Sequence, residues 1–510
     1  MTFLLQTKVE KLSLLLFSYK TDSVTGIFMY TSDPKRPIPL YKAFIPLLFL
    51  IGLLSVNVYI FGIDAIAGPN QLALIFSALA AALVAFSIGF TWNELEKGIL
   101  NSLMTAMPAV LILLLIGALA GTWLISGIVP AMIYYGLKIL SPDIFLFASC
   151  FICAVVTLAT GSSWTTVATI GLSLAGIGEA IGFSGGIIGG AIISGAYFGD
   201  KVSPISDTTN LASAMTGVGL FEHIRYLMYT TMPAFIISLL LYLIIGFSSS
   251  NEIDQQNISA VMQSIENIFY IGPVLMLIPV LVIVLIVFKV PAFPALLAGT
   301  LGGAVFALVF QRPVIIQLSG SEYFSVKEAY IVVMKAMYSS IRIVSDHELV
   351  SRLLASNGMV GMLNTVWLII CAMIFGGTME ASGLLYRITR SIINFAKSTG
   401  SLIASTVGTC IFFNITASDQ YLAIMIPGRM FRKVYEDRGL SLKNLSRTLE
   451  DSGTVTSVLV PWNTCGATQA AVLGIATVHY LPYCFFNLLS PLIAIIFAYM
   501  NIRIEKKKEE

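Results

Sequence analysis

The chain has 510 residues, of which 57% are hydrophobic and only 11% are charged. An ordinary globular domain carries about 25% charged residues, so this composition leaves too little polar surface for a water-exposed fold and excludes a soluble protein. The net charge of +2 gives no indication of nucleic-acid binding. Because about 20 apolar residues cross a bilayer, the composition predicts an all-α polytopic membrane protein with ten or more helices.

Hydropathy divides the chain into two membrane regions with polar segments around them. Residues 1–42 carry six Lys or Arg residues and are predicted to form a cytoplasmic basic segment. The first membrane region covers 43–247 and is followed by an external loop, 248–266. The second region covers 267–503, and residues 504–510 form a tail that is predicted to be cytoplasmic.

Four apolar segments are interrupted by Gly, Ser, Thr, Asp or Pro. Irregular backbone at membrane depth is tolerated only where protein or a water-filled cavity satisfies its polar groups. Each half of 144–180 is shorter than the ~20 residues that a comfortable crossing needs, which predicts a re-entrant hairpin. Segment 184–217 is long enough to cross once and predicts a broken helix. The second region has the corresponding hairpin at 400–428 and broken helix at 448–475.

Short motifs recur at a constant separation in the two regions. Residues 121–127 resemble 377–383, and residues 160–163 resemble 416–419, in both cases 256 residues later. This register predicts an internal duplication, with five transmembrane helices and one re-entrant hairpin in each repeat. Because five is an odd number of crossings, the second repeat must be inverted. The two hairpin tips and the two broken helices then meet near the membrane midplane.

The distribution of Lys and Arg tests this topology. Loop 248–266 contains neither residue, whereas 429–447 contains six, as expected for an external and a cytoplasmic loop. Ten crossings put both basic termini on the cytoplasmic side. Loop 311–356 is predicted to be external although it carries five basic residues. Its amphipathic run from Ala329 to Ile343 is expected to lie on the membrane surface.

The densest group of polar residues at membrane depth is 199–210 in the first broken helix. An ionisable side chain at this depth marks a candidate functional site. Pro204 interrupts the helix and frees backbone carbonyls between Asp200 and Asp207. Carboxylate, hydroxyl and carbonyl oxygens are the ligands of hard cations. The pattern therefore predicts a cation site; a water-exposed loop, or a structural ion pair between Asp200 and Lys201, is the alternative interpretation.

The second hairpin tip and the second break complete the predicted site. Asp200, Asp207 and Asp419 are expected to bind the cation or the proton, with Na⁺ itself at Asp207 and Asp419, and Lys201 balances part of their charge. Burial favours a protonated carboxyl group and a bound cation favours the ionised one, so that one site can hold either Na⁺ or H⁺. The supporting oxygen ligands are expected from both tips and both breaks. They are Ser203, Thr208, Asn210, Thr160, Ser162, Thr416, Ser418, Asn463 and Thr464.

Other polar residues are assigned structural roles or none. Asp451 is expected at the cytoplasmic entrance of its helix, where an acid stabilises the positive end of the helix dipole. The six cysteines lack the spacing of a zinc site and are interpreted as buried packing residues. Tyr197-Phe198 precede Gly199-Asp200, which does not match the Gly-x-Gly-Asp motif of intramembrane aspartyl proteases. Because the chain also lacks a phosphate-binding loop, we expect neither an enzyme nor an ATP-driven pump, and no cofactor beyond transported Na⁺.

The polar motifs also resemble those of a known family. Residues 194–212, 416–421 and 450–466 are similar to signatures of NhaC-type Na⁺/H⁺ antiporters, and the resemblance covers about 40–503. It implies a secondary transporter of the bacterial plasma membrane, with inverted repeats, paired hairpins and elevator-type movement. Its partners would be Na⁺, H⁺ and the lipid bilayer, with a homodimer as a candidate assembly. The family also looks to include exchangers of malate and protons for lactate and sodium. A Na⁺-coupled organic-anion exchanger is therefore the alternative, although Lys201 supplies little positive charge for it.

Overall fold

The chain is described by a computed structural model. The described residues are 38–61, 65, 67–249, 255–393 and 396–507. Most of the predicted basic segment 1–42 and the last three residues of the tail lie outside them. Within these residues, nine helices are long and apolar enough to cross a membrane, or up to eleven if each of two bent helix pairs is one span. The prediction of an all-α polytopic membrane protein is confirmed.

We number the helices in chain order. In the first region they are α1 (Leu40–Phe61), α2 (Pro69–Ser87), α3 (Trp92–Ile125), α4 (Ile128–Ile139), α5 (Phe145–Thr160), α6 (Ser163–Ile181), α7 (Gly185–Val202), α8 (Asp207–Thr216) and α9 (Leu220–Ser249). A short turn, Pro142–Ile144, precedes α5, and α6 contains a π-type turn at Val167–Gly171.

The second region begins with six helices that form the long connection 311–356 or precede it. They are α10 (Gln255–Ile268), α11 (Leu277–Val287), α12 (Ala292–Phe310), α13 (Arg312–Ser319), α14 (Val326–Tyr338) and α15 (Glu348–Leu353). Two short strands, β1 (Ile341–Arg342) and β2 (Ala355–Ser356), pair antiparallel beside α15. Single turns are found at Pro273–Met276 and Gly358–Gly361.

The remaining helices hold the second hairpin and the second break. They are α16 (Leu363–Ala381), α17 (Leu384–Ile393), α18 (Thr399–Thr416), α19 (Gln420–Asp437), α20 (Leu442–Leu449), α21 (Thr464–Leu473), α22 (Thr477–Tyr480) and α23 (Phe485–Tyr499). A π-type turn, Glu450–Thr454, continues α20, and single turns lie at Ser457–Leu459 and Leu481–Tyr483.

Local backbone geometry repeats between the two regions at the spacing of the sequence motifs. Gly127 after α3 has φ 74°, and Gly383 after α16 has φ 72°. Gly217 after α8 and Gly474 after α21 have φ 73° and 68°. These left-handed conformations favour glycine because it has no Cβ, so the matched glycines end matched helices. The inversion of one region relative to the other stays a prediction, since it concerns orientation in the bilayer.

Helices α5 and α7 pack along each other at close range. A Cβ atom at Gly195 would lie 2.0 Å from the carbonyl oxygen of Cys150, and one at Gly199 would lie 2.4 Å from that of Ala154. Small residues at such a contact let helix backbones approach in a membrane protein. The glycine-rich sequence of α7 therefore holds the end of α7, with its polar residues, against the first hairpin arm.

The arms of the first hairpin are longer than the sequence indicates. They comprise Pro142–Thr160 and Ser163–Ile181, each 19 residues long, because the helices continue up to the polar tip. Helix length therefore does not distinguish a re-entrant hairpin from two crossings. The re-entrant topology stays a prediction.

The long connection 311–356 packs on protein. The apolar residues Ala329, Val332 and Ala336 of α14 are buried, and a Cβ atom at Gly121 of α3 would lie 1.8 Å from the carbonyl oxygen of Ala336. The prediction that this run lies on the membrane surface stays a prediction, because its buried apolar residues contact protein. Its hydrophobic periodicity serves contact with α3, and periodicity alone does not distinguish lipid from protein as the apolar neighbour.

The end of the chain docks on the connection between α19 and α20. The Lys507 amide donates to the Gly439 carbonyl at 2.8 Å, and the Ser441 amide donates to the Glu505 carbonyl at 3.0 Å. The Lys443 ammonium bonds Glu505 at 2.8 Å. These contacts place the tail and this basic connection on the same face of the protein, as the predicted topology requires.

Candidate ion-binding site

Asp200 joins the first hairpin tip to the first helix break. Its Oδ2 atom accepts hydrogen bonds from the Ser163 amide at 3.2 Å and from the Ser163 hydroxyl at 2.5 Å. Its Oδ1 atom accepts from the Ser206 hydroxyl at 2.5 Å. Asp200 is 7% exposed, and all of these donors are neutral. This carboxylate is therefore buried where α5 ends, α6 begins and α7 breaks.

The tip and the break touch directly. Gly161 adopts φ 71° in the turn between α5 and α6, and a Cβ atom there would lie 2.5 Å from the side chain of Ile205. At this tip the Ser162 hydroxyl accepts a hydrogen bond from the Thr165 amide at 3.2 Å. The Thr160 hydroxyl lies 3.4 Å from that of Thr166. Two of the predicted ligands, Thr160 and Ser162, thus shape the tip through short-range contacts.

Neighbouring polar side chains satisfy the backbone carbonyls that the break frees. The Thr209 hydroxyl donates to the carbonyls of Asp200 and Lys201, both at 3.1 Å. The Asn210 amide donates to the carbonyls of Pro204 at 3.0 Å and Ser206 at 2.7 Å. These bonds explain how an irregular segment persists at this position, and they occupy the amide donor of Asn210, a predicted ligand.

The other predicted ligands of the first break occupy different surroundings. The Ser203 hydroxyl donates to the Leu158 carbonyl at 2.9 Å. The Thr208 hydroxyl lies 3.1 Å from that of Ser206, which itself donates to Asp200. Asp207 is the first residue of α8 and is exposed. Thr208 and Asp207 therefore lie beside the Asp200 network, and Ser203 faces the hairpin arm.

The second tip holds Asp419 at the start of α19. Its Oδ1 atom accepts from the amides of Tyr421 at 2.8 Å and Leu422 at 3.0 Å, as an N-cap residue does. Ser418 has φ 59°, and its buried hydroxyl has no hydrogen-bond partner among the described residues. Its carbonyl accepts from the Thr464 amide at 2.9 Å. Thr416 donates to the Phe412 carbonyl within α18, so that Ser418 and Thr464 mark the contact between the second tip and the second break.

Asn463 caps the helix after the second break. Its side-chain oxygen accepts from the Cys465 amide at 3.0 Å, and its amide donates to the Asn414 carbonyl at 3.0 Å. The Asn414 amide in turn donates to the Gly453 carbonyl at 2.8 Å. Asn463 thus links the break to both α18 and the π-type turn, and Ser206 precedes α8 in the equivalent position of the first region.

The two halves of the site meet through crossed packing. Helix α8 of the first break packs on α19 of the second hairpin, and α21 of the second break packs on α6 of the first. Tyr421 at the start of α19 interacts electrostatically with Asp200, Asp207 and Asp419. Across the described ranges, however, no group of three His, Cys, Asp or Glu side chains is close enough to hold one metal ion. The three predicted carboxylates therefore share a region without forming one three-acid cluster.

Lys201 points away from this region and bonds Asp451. Both side chains are 0% exposed. The Lys201 ammonium also donates to the Ser490 hydroxyl at 2.6 Å, and the Thr230 hydroxyl lies 2.9 and 3.0 Å from the two Asp451 oxygens. The alternative ion pair between Asp200 and Lys201 is not formed. Asp200 and Lys201 are consecutive on a helix, so their side chains point about 100° apart and reach different networks.

The prediction that Asp451 lies at the entrance of its helix is wrong. Helix α20 begins at Leu442, more than two turns earlier, so Asp451 lies deep in the protein. Glu450 was not among the predicted site residues, yet it is fully buried beside this ion pair. The signal that marks it is an ionisable side chain within an interrupted apolar segment, the same signal that identifies Asp200.

These features define a class of protein. Long apolar helices, two helix breaks in matched positions and buried carboxylates at those breaks are the architecture of secondary transporters. The model of the Na⁺/H⁺ antiporter family matches residues 195–502. The chain belongs to this family, and the resemblance to NhaC-type antiporters is confirmed.

Individual relatives cover most of the chain. The Na⁺/H⁺ antiporter NhaC of Alkalihalophilus pseudofirmus is 35% identical over 86% of this chain and 92% of its own length. The malate-2H⁺/Na⁺-lactate antiporter of Bacillus subtilis is 37% identical over 84% of this chain and 89% of its own length. The Na⁺/H⁺ antiporter NhaC of Bacillus subtilis is 34% identical over 84% of this chain and 92% of its own length.

Proposed function

We propose that this protein exchanges Na⁺ for H⁺ across the bacterial plasma membrane, with both termini in the cytoplasm. The observation that carries the proposal is the surroundings of Asp200. Its carboxylate is buried, its hydrogen-bond donors are the neutral Ser163 and Ser206, and the adjacent Lys201 is bound to Asp451. Burial without a counter-ion favours the binding of either a proton or a metal cation to such a carboxylate. Those are the two substrates of a Na⁺/H⁺ antiporter.

Competition for the carboxylates would couple the two ions. When H⁺ is bound, the acid is neutral and attracts Na⁺ weakly; when Na⁺ is bound, the acid stays ionised. Asp207 and Asp419 add negative charge at the two breaks, with Na⁺ assigned to both. Hydroxyls such as those of Thr208 and Ser418 supply oxygen atoms of the type that Na⁺ prefers. Na⁺ is transported in this scheme, so the exchange needs no cofactor.

The membership of the family supports this exchange, because two of the relatives are named Na⁺/H⁺ antiporters. Movement of the hairpins as an elevator between the two faces is part of the proposal. So is an assembly as a homodimer in the lipid bilayer.

The second candidate is a Na⁺-coupled exchanger of organic anions. The Bacillus subtilis relative with 37% identity, whose name includes malate and lactate, favours it. The charges of the site favour it less, because a dicarboxylate requires uncompensated positive charge and Lys201 is bound to Asp451. Arg447 is also buried, and its Nε and Nη2 atoms have no hydrogen-bond partner among the described residues. Its guanidinium lies 4.6 Å from the Tyr226 ring and donates to the Arg503 carbonyl, which places it near the docked tail.

Purified protein in proteoliposomes distinguishes the two candidates. A pH gradient is imposed, and NaCl, KCl or sodium malate with equal osmolarity is added outside while an internal dye reports pH. We expect NaCl to dissipate the gradient, KCl to have no effect, and malate to add nothing to the effect of Na⁺. A requirement for malate would contradict Na⁺/H⁺ exchange and would support the organic-anion candidate.

A further inference from the structure

Glu450 is a buried acid whose carboxyl group is poorly satisfied by hydrogen bonds. It is 0% exposed, and among the described residues neither of its carboxylate oxygens makes a hydrogen bond of regular geometry, although the Thr454 hydroxyl one turn later interacts with it. It is the first residue of the π-type turn Glu450–Thr454, a geometry that recurs at functional sites in helices. Leaving both oxygens of an ionised carboxylate unpaired and away from water is far more costly than leaving a neutral carboxyl group in the same place. In this conformation the geometry of Glu450 fits the protonated acid.

The charges around Glu450 lead to the same assignment. Glu450 interacts electrostatically with Lys201, Asp200 and Asp451. Lys201 is the basic member of this group, and it is already bonded to Asp451. A third ionised acid would leave the cluster with uncompensated negative charge in a buried place, unless a cation enters.

The elements packed on this turn place few ionisable groups near Glu450. Helix α23 contributes the neutral Ser490, which donates to Asp451. The charged groups that act on Glu450 are Lys201, Asp200 and Asp451. The packed elements also carry Tyr197 of α7, Asp207 of α8, Cys410 of α18, Tyr421, Arg429, Arg432, Lys433, Tyr435, Glu436 and Asp437 of α19, Lys443 and Arg447 of α20, and Tyr499 of α23.

We propose that Glu450 is the residue that carries the proton in the exchange. The inference rests on the proposed Na⁺/H⁺ exchange and assigns its proton to one side chain. On the side where Na⁺ enters, the O–H bond of Glu450 breaks and the proton passes to water. The resulting carboxylate is stabilised by the nearby Na⁺. On the opposite side, the carboxylate takes a proton from water and the attraction for Na⁺ is lost. Lys201 is a positioning residue in this scheme, because it holds Asp451, the neighbour of Glu450.

The test compares Glu450→Gln with the unmodified protein in two assays on the same proteoliposomes. Gln has the shape of the protonated acid and cannot release a proton. The first assay is Na⁺-driven proton movement, which we expect to fall about 100-fold, as on removal of a positioned proton-transfer group. The second is exchange of radioactive Na⁺ for unlabelled Na⁺ between pH 6 and 9. In the unmodified protein we expect this exchange to weaken at low pH, because H⁺ competes. In Glu450→Gln we expect exchange to persist without that pH dependence.

A matched control is Glu436→Gln, an exposed acid of α19 whose partner is Arg432. It should leave both assays unchanged. Glu450→Gln with unaltered pH dependence and proton movement would overturn the inference while the Na⁺/H⁺ exchange itself stands. An unmodified protein without Na⁺-driven proton movement would refute the proposed function instead.

Glu450→Asp shows whether a loss of activity in Glu450→Gln comes from misfolding. If Glu450→Gln loses both activities, Glu450→Asp should restore Na⁺/Na⁺ exchange with a displaced pH profile, because the acid is retained at a different distance from Lys201. Failure of Glu450→Asp to restore exchange, or restoration with the original profile, would assign Glu450 a structural role and overturn the inference.

Discussion

The buried pair of Lys201 and Asp451 allows a quantitative prediction about stability. In Asp451→Leu, the ammonium of Lys201 stays buried with the hydroxyl of Ser490 as its remaining hydrogen-bond partner. Breaking a buried pair by removing one partner destabilises a protein by about 3–5 kcal/mol. That energy lowers the ratio of folded to unfolded protein by more than about 100-fold. Replacing both partners with apolar residues of similar size is close to neutral in the same comparison.

The assay is a double-mutant cycle on protein purified in detergent. Each variant is heated, and the fraction that still elutes as a single species in size-exclusion chromatography is measured against temperature. We expect Asp451→Leu to unfold at a clearly lower temperature than the unmodified protein. Lys201→Met/Asp451→Leu should recover most of that loss in heat stability. Glu222→Gln is the matched control. It breaks a bridge to Lys443 in which the Glu222 side chain is 55% exposed, and such bridges contribute less than about 1 kcal/mol. If Asp451→Leu were as stable as the unmodified protein, or the double variant were less stable than Asp451→Leu, the pair would not have the energetic role described here.

Three further predictions concern the candidate site. Asp200→Asn removes a charge that stabilises a cation at 4 Å by about 4 kcal/mol. The half-saturating Na⁺ concentration in proteoliposomes should therefore rise by up to about 1000-fold. Glu436→Gln should not change that concentration, and an equal rise in both variants would contradict a local role for Asp200. Asp419→Asn should keep the cap of α19 and lose Na⁺ affinity, whereas Asp419→Ala should in addition lower stability by about 1 kcal/mol; equal heat stability of the two variants would contradict the capping role. Gly199→Ala introduces a Cβ 2.4 Å from a carbonyl oxygen of α5, whereas Gly408→Ala meets nothing within 4 Å, so we expect the first variant to unfold at lower temperature than the second.

Much of the fold follows from residues that can be recognised locally. The paired glycines at 127 and 383, and at 217 and 474, mark helix ends because their φ angles of 68–74° are unfavourable for other residues. Pro204 marks the first break for a similar reason, since it cannot donate a backbone hydrogen bond. These effects act within a few residues of chain, and a sequence displays them directly.

The contacts of the site depend on the tertiary arrangement. Lys201 and Asp451 are 250 residues apart, and the neighbour of Lys201 in the sequence, Asp200, is the more obvious partner. The two side chains point in different directions from the helix. Which acid pairs with Lys201 is then determined by the packing of α7 between the hairpin and α23. The same limitation applied to α14, whose apolar face could have met lipid or protein.

The division between Asp200 and Lys201 has a consequence for function. Asp200 bonds the first hairpin tip and the first break. Lys201 instead bonds Ser490 of α23 and Asp451 of the π-type turn, and Asp451 in turn accepts a hydrogen bond from Thr230 of α9. A single turn of α7 therefore connects elements of both regions to the candidate site. Binding of a proton or a cation at Asp200 or its neighbouring acids would therefore change contacts of both the first hairpin and the second region.

The central claim is that Na⁺ and H⁺ compete within one group of acids around the two helix breaks, so that Na⁺ binding releases H⁺. The most direct measurement is proton release from purified protein in weakly buffered detergent solution on addition of NaCl, with KCl as the control. We predict that Na⁺ releases protons from the unmodified protein and that Asp200→Asn releases markedly fewer at the same Na⁺ concentration. Binding of Na⁺ without proton release, or equal release from Asp200→Asn, would contradict the claim.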